Sequence, residues 1–542
     1  MNLSATALSC SLPALLLLAT GCSGDGHAFD KPIDPMKATA VDDHVVFVDR
    51  GSSRALLLDV SGTTAPHAPT AVPVVENPIL AVPRQGHTDE LLVLSAGNRD
   101  DDEDPGLVVV TATGQRREYR YSSAFTDLAQ SDDGRFALLY FDQSKTLPSD
   151  SVFHTSNEAA IVDLSKDDPI VPHWFRSGTS PRSIAFTKMT IRGEERELAV
   201  ALFASDVAIL DLSHLDRPEY TVGLSHAAGG GIQLAQAVFS TEDRKIYLRA
   251  TGSNDVYVIT LNDALGGEAK AASSGDAGSR PLNDFTPSVN QLAAGIAPSD
   301  MAIYEETDET TQVATKRLLV VAPGSQEAVV IEPNSSNVTR LPLPLPASNV
   351  VLFHQPKPGD SNAAERALLY SAGTTALTFV DLHKVESRGA LNLYEQSAHE
   401  PYASALSLDE NTVMLIHQGT GLSELNLAER TVTDIDGPNL LSATPDPANK
   451  KLWVAAENTV AFLDLCTGSC SGGAQPDQVD LDAKVQDLIT VPSPVKRAPR
   501  VVVTHESSLG WATVLDATDP KKGTKPYSMR GFFVSGVLGG GS

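Results

Sequence analysis

Three groups of residues have types and spacings that could do chemistry. In "GNRDDDEDPG", Asp100, Asp102 and Asp104 alternate. An oxygen-rich acidic loop of this kind suits Ca²⁺, which takes about 6 to 8 oxygen ligands. EF-hand spacing is absent, so a solvated charge run is the default reading and calcium the alternative. Cys466 and Cys470, in "DLCTGSCSGG", stand with three residues between them. That spacing closes a small disulfide loop at a strand end. A metal half-site would need a second Cys or His cluster, and a redox pair normally has C-x-x-C spacing at a helix start. Asp49 in "VFVDRGSS", His417 in "LIHQGTG" and His505 in "VTHESSLG" each end an apolar run, and Arg182 lies in "GTSPRSIAF". A ring of His, Asp and Arg could bind a metal or an anionic ligand. The plainer reading is that such residues end strands to satisfy turn hydrogen bonds.

Familiar catalytic signatures are missing from the sequence. It contains no H-E-x-x-H, no G-x-S-x-G and no G-x-x-x-x-G-K-[ST], and the glycines of "AAGGGIQ" match no phosphate-binding spacing.

The elements that must position these groups are strands. A recurring unit runs through the chain: an apolar strand, a polar turn, a second strand, another turn, and a third strand closing on an acidic or polar residue. "SPRSIAFTKMTIRGEERELAVALFASDVAILDLSHL" is the clearest copy. The third strands are "RALLLDV", "GLVVVTA", "AAIVDLS", "VAILDLS", "VYVITLN", "AVVIEPN", "LTFVDLH", "LSELNLA", "VAFLDLC" and "WATVLDA". A fourth, less regular strand is expected between most copies, as in "REYRYSS", "GALNLYE" and "GFFVSGV". One such sheet cannot cover both its faces, but sheets stacked radially cover one another. β-Branched and aliphatic residues dominate, and helix-length amphipathic segments are scarce.

The pattern predicts an all-β chain, a β-propeller of about ten degenerate four-stranded repeats spanning 38–538. A seven- or eight-bladed ring with insertions, or two smaller rings, are the alternatives. The openings "GTSPRSIAF" and "GIAPSDMAI" share a G-x-x-P start to the first strand, and here the chain resembles YVTN-type and WD40-like propeller repeat proteins. An Ala, Gly and Ser-rich stretch over 263–296 reads as a long surface loop, or alternatively as a linker. In a propeller the second-to-third-strand loops share a side with the inter-blade loops. Asp49, the acidic run around Asp102, His417 and His505 are therefore expected on one rim, where substitutions should spare the thermal midpoint.

The first two dozen residues carry an address. The apolar run from Leu12 to Ala19 is shorter than the roughly 20 residues a membrane span needs, and Ala19, Thr20 and Gly21 precede Cys22. This resembles a bacterial lipobox. It implies a signal peptide over 1–21, an acylated Cys22 (palmitate or a similar chain) and a polar tether over 22–37. Attachment would then be to a membrane, the outer one by analogy, through the lipid anchor only. Of four cysteines, Cys10 leaves with the signal and Cys22 is acylated. The remainder is the pair Cys466 and Cys470, as an exported protein would have.

The net charge of −27 lies wholly after the signal and argues against nucleic acid as a partner. Two functions fit: a surface-attached binding or scaffold module for a protein, peptide or glycan, and an exported propeller hydrolase, lactonase-like or metal-assisted. The first is favoured, because carboxylates and histidines are not concentrated in enough inter-blade openings for the second.

Overall fold

Apolar runs of five or six residues bounded by turns dictate strands that are covered on both faces. In the computed structural model of the chain, the second and third strands of the first two repeats behave in this way. His44–Asp49 and Arg54–Asp59 are buried along nearly their whole length, as are Glu90–Ser95 and Gly106–Thr111. Fourth strands such as Tyr220–Gly223 are only partly covered. The structure describes residues 32–534 apart from 63–67, 99, 143–144, 146–154, 167–169, 225–230, 265–283, 308–313, 357–362, 372–375, 383–390, 396–401, 408–411, 418–420, 427–430, 437–441, 447–450, 465–476, 492–499 and 519–525. Cys22, Cys466 and Cys470 lie outside these residues, as does the signal segment.

Among the described residues, forty strands form ten four-stranded antiparallel sheets, each made of four strands consecutive in sequence. The fold class is all-β, a β-propeller with ten blades. In chain order blades 1 to 10 span 39–73, 78–120, 127–174, 183–223, 233–293, 300–342, 349–395, 402–436, 442–480 and 485–530. Every one of the ten quoted apolar runs is the third strand of its blade, so no copy serves as an insertion. Blades 1, 2 and 10 form one compact unit and blades 3 to 9 another. Among the described residues no helix is long and apolar enough to cross a membrane.

Each unit is held by apolar clusters between successive blades. In the first, Val46 and Leu57 of blade 1 meet Val93 and Val108 of blade 2, and Phe47 and Leu56 meet Val502 and Val514 of blade 10. In the second, Leu138 of blade 3 meets Ala201 of blade 4, Leu248 of blade 5 meets Val200, and Tyr247 meets Leu318 of blade 6. Removing the apolar surface of such faces from water is the dominant favourable term in folding.

The acid that closes many third strands has a structural task. Asp59, Asp163, Asp211 and Asp516 each accept a hydrogen bond from the backbone N–H two residues on, in the recurring D-x-[S/T] turn. Three of these carboxylates also receive an arginine from the second-strand side of the same blade: Arg135 to Asp163 at 3.3 Å, Arg196 to Asp211 at 3.0 Å and Arg500 to Asp516 at 3.2 Å. Four blades thus carry a turn lock at this end, and three of them an ion pair as well.

Three sequence expectations change. The stretch 263–296 is not a loop throughout: Phe285–Ala293 is the fourth strand of blade 5, paired with Asp255–Asp263 over nine residue pairs. "GFFVSGV" is not the fourth strand of the last blade either. Tyr527–Arg530 takes that place, and residues 532–534 form a helical turn. The tether expected over 22–37 is docked at its end, where Pro35 pairs with Asp49 and the Met36 N–H donates to Val48 O at 2.8 Å. Gly51 permits this docking, since a Cβ there would stand 2.0 Å from Pro32 O.

Candidate functional site

The strand order puts three of the predicted residues in equivalent places. Asp49, His417 and His505 each close the second strand of a blade, and Asp102 lies in the second-to-third-strand connection of blade 2. In the unit of blades 1, 2 and 10, Asp49, the acidic run and His505 occupy the same connection of their three blades. In the other unit His417 occupies it in blade 8, and Arg182 immediately precedes blade 4. Blades 2, 5, 8 and 10 carry a register shift near the start of the first strand, beside this end of the blade. Such bulges re-aim side chains at rims.

Asp49 is 1% exposed, and its carboxylate is committed locally. Oδ1 accepts the Asp34 N–H at 2.6 Å and the Gly51 N–H at 3.3 Å; Oδ2 accepts the Ser52 N–H at 2.9 Å and the Ser52 hydroxyl at 2.5 Å. It closes a turn and clamps the entering chain. His505 is 2% exposed. Its Nδ1 lies 3.3 Å from Lys484 O and its Nε2 2.8 Å from Thr513 Oγ1, with Thr513 Oγ1 2.9 Å from Ser528 Oγ. A carbonyl cannot donate, so Nδ1 carries the proton and Nε2 accepts from Thr513. The ring also packs 5.0 Å from that of Trp511, whose other neighbour is the Arg530 guanidinium at 3.9 Å from the ring centre. Substitution at His505 should therefore not be thermally silent, contrary to the sequence expectation.

The acidic run is a hairpin tip. Asn98 and Glu103 exchange backbone hydrogen bonds at 2.9 and 2.8 Å. Asn98 Nδ2 donates to Glu76 Oε2 at 2.8 Å and to Asp101 Oδ2 at 2.5 Å, while Glu103 Oε2 accepts the Glu76 N–H at 2.9 Å. Arg120 anchors the base through Glu103 at 2.9 Å and through the Asp104 carbonyl. Burial works against the Arg120 charge, but Glu103 and Glu118 outweigh it and hold the guanidinium above its ordinary range. Gly97 adopts φ +72°, and a Cβ there would strike the Glu103 carbonyl at 2.5 Å. Asp100, Asp101, Asp102 and Asp104 are left exposed around this root, with Asp102 at φ 55°. Among the described residues no group of three or more His, Cys, Asp or Glu is placed to hold a metal ion.

Arg182 is exposed; its N–H donates to Leu202 O at 2.7 Å and its Nη1 to Gln233 Oε1 at 2.9 Å. Sequence reasoning missed its relatives in blade 5, Arg249 and Gln236. It also missed Glu219, whose carboxylate accepts the Arg176 N–H at 2.6 Å and lies 2.7 Å from His173 Nε2. Burial raises the Glu219 carboxyl, but His173 and the Arg176 N–H outweigh this and lower it. The residues of this pair are 46 apart in sequence, a separation no local motif announces.

The strand order defines a propeller, and comparison with known proteins adds no narrower class. No protein-family model and no curated protein matches the chain. Similar solved structures include a dihydro-heme d1 dehydrogenase, NirN, in complex with DHE, 12% identical over 76% of this chain and 78% of that one with a TM-score of 0.39. Sqt1 of Saccharomyces cerevisiae is 11% identical over 68% and 90%, with a TM-score of 0.39. A eukaryotic initiation factor is 11% identical over 75% and 89%, with a TM-score of 0.42. Likeness at this level carries no argument about function, and the propeller class rests on the blades themselves.

Proposed function

We propose that the chain is an exported propeller, lipid-anchored at Cys22 on the bacterial cell envelope, that acts as a binding or scaffold module for a protein or peptide partner. The observation that carries the binding reading is the blade 2 hairpin tip. Asp100, Asp101, Asp102 and Asp104 are exposed on a loop rooted by Asn98, Glu103 and Arg120. Recognition residues collect on loops of rigid scaffolds, and pre-ordering such a loop lowers the entropy lost on binding. Asp49 and His505, the other candidates described in that unit, are spent on turn closure and core packing.

In-cell crosslinking tests the binding role. Wild type is compared with a variant carrying Asp100→Asn, Asp101→Asn and Asp102→Asn. A partner band lost in the variant while hydrogen exchange of blade 2 is unchanged supports the reading; an identical set of crosslinks refutes it. Anchoring is tested separately. Cys22→Ala should abolish acyl-label incorporation and release the protein from the membrane fraction, and equal labelling would sink the anchor. The pair Cys466 and Cys470 is proposed as a disulfide, to be checked by thiol titration without reductant.

A further inference from the structure

A chain with 68 acidic and 41 basic residues offers most arginines a carboxylate. Arg135, Arg196, Arg317 and Arg500 each take one, at 2.8 to 3.3 Å. Among the described residues Arg182 and Arg249 take none. Arg182 Nη1 donates to Gln233 Oε1; Arg249 Nε donates to Gln236 Oε1 at 3.0 Å and Nη1 to Pro298 O at 3.3 Å. Every acceptor is neutral.

The two glutamines belong to one strand, Gln233–Ser240, the first of blade 5. Gln233 stands opposite Thr251 and Gln236 opposite Arg249, with the register shifting between Leu234 and Gln236. In a regular strand residues three apart point to opposite faces. The extra residue at the bulge returns Gln233 and Gln236 to the same face, spaced as residues two apart on the partner strand, about 7 Å. The bulge is what lets one strand hold both arginines.

Arg249 is half-buried. Burial lowers its guanidinium below the ordinary arginine range, against the pull of Asp300. The Asp300 carboxylate is itself committed to Gln236 Nε2 at 2.8 Å, the Met301 N–H at 2.8 Å and the Val350 N–H at 2.9 Å. The edge across Arg249 Nη1 and Nη2 remains, the fork that takes a carboxylate with two parallel hydrogen bonds. Among the described residues Nη2 makes no hydrogen bond, and the Arg249 side chain is only partly buried. Asp300 nearby offsets part of the charge, which favours a singly charged carboxylate over a doubly charged phosphate.

We propose that Arg249 and Arg182, held by Gln236 and Gln233 on the bulged first strand of blade 5, bind an extended acidic peptide segment through carboxylates two residues apart. Side chains at that spacing in an extended chain share one face, about 7 Å apart. The proposal rests on the binding-module reading and names the chemistry of the partner segment.

The test is fluorescence anisotropy of a labelled pentapeptide amide with Asp at its second and fourth positions. It is titrated with the full chain at about 0.15 M salt, where the overall negative charge is screened beyond ~8 Å. The same peptide with Asn in place of Asp should bind at least tenfold more weakly. Arg249→Gln and Arg182→Gln should each weaken the Asp peptide about tenfold. Arg249→Lys, which keeps the charge and loses the fork, should do nearly the same. Arg176→Gln, at an exposed arginine outside the site, should have no effect. Equal binding of the Asp and Asn peptides, or undiminished binding by Arg249→Gln, overturns the proposal. A phosphoserine peptide that binds more tightly than the Asp peptide overturns the choice of carboxylate. Loss of peptide binding in Arg249→Gln alongside unchanged crosslinks in the blade 2 tip variant would refute the role of the tip and leave this site standing.

Discussion

Phe47, in the second strand of blade 1, lies 5.0 Å ring to ring from Phe532, which follows the last strand of blade 10. Phe533 meets Phe47 edge-on at 5.5 Å, and the Gly531 and Phe533 N–H groups donate to Gly510 O and Leu509 O at 2.7 and 3.1 Å. Among the described residues no strand is shared between blades 1 and 10, since each has four consecutive strands of its own. Their contact is side-chain packing, with Arg500 reaching Gly62 O at 3.4 Å and Lys37 reaching Asp487 at 3.2 Å. Phe532→Ala should therefore cost about 3–4 kcal/mol locally. Faster amide exchange confined to blades 1 and 10 would show it, whereas unchanged exchange there would mean that the aromatic contact is not what joins them.

Asp163 offers a pH test. Burial would raise its carboxyl, but the Ser165 hydroxyl, Arg135 and Lys166 outweigh this and hold it at about 2, below its ordinary value of 3.8. A depressed acid stabilises the folded state above the unfolded value, and the contribution is lost as pH falls through the folded one. Arg135 and Lys166 are about half exposed, so the screened contribution is on the order of 1–2 kcal/mol. The difference in local stability between wild type and Asp163→Asn should be full at pH 6 and shrink between about pH 4 and 2. A gap that stays constant over that range would contradict the assignment.

Most of the ten third strands were legible in the sequence because covered faces favour apolar runs; Gly421–Asn426, with Ser423 and Glu424 inside it, was legible from its place in the repeat. Edge strands face no such demand. "FTPSVNQLA" reads as loop, yet Phe285 and Leu292 are buried near its ends and the backbone ladder to Asp255–Asp263 does the rest. Arg182 could be found from its place before a first strand. Arg249 could not, because its relation to Gln236 and Gln233 depends on a register shift of one residue that leaves no mark in composition or periodicity. His505 and Asp49 were legible as strand ends, but their burial was not, since polar residues at such ends are exposed or enclosed according to what the next segment does.

His505→Ala removes a buried ring packed against Trp511 together with its hydrogen bonds to Thr513 and Lys484 O. A local loss of about 2–3 kcal/mol is expected. A long array of repeats need not unfold in one step, so protease nicking or amide exchange within blade 10 is the proper measure. His505→Gln, which can still bond Thr513, should recover part of the loss. If Ala and Gln variants are equally stable, the hydrogen bond to Thr513 contributes nothing.

Arg196 joins blades 4 and 5. Its side chain is 3% exposed and meets Asp211 at 3.0 Å in its own blade, Glu194 at 3.0 Å, and Asp284 at 2.6 Å, just before the last strand of blade 5. Arg217 reaches the same Asp284 oxygen at 2.7 Å. Burial raises the Asp284 carboxyl, but the two arginines outweigh it and lower it, so the carboxylate remains charged in the folded protein and loses its contribution only as acid titrates it. Breaking one partner of a buried pair costs more than the pair contributes, because a charge is stranded. Arg196→Met should destabilise blades 4 and 5 by about 3 kcal/mol, and Asp284→Leu by about 2, since Asp211 still holds Arg196. The double variant should cost less than their sum by about 1–2 kcal/mol, measured by amide exchange in the two blades. Strict additivity would show that the 2.6 Å contact carries no coupling between them.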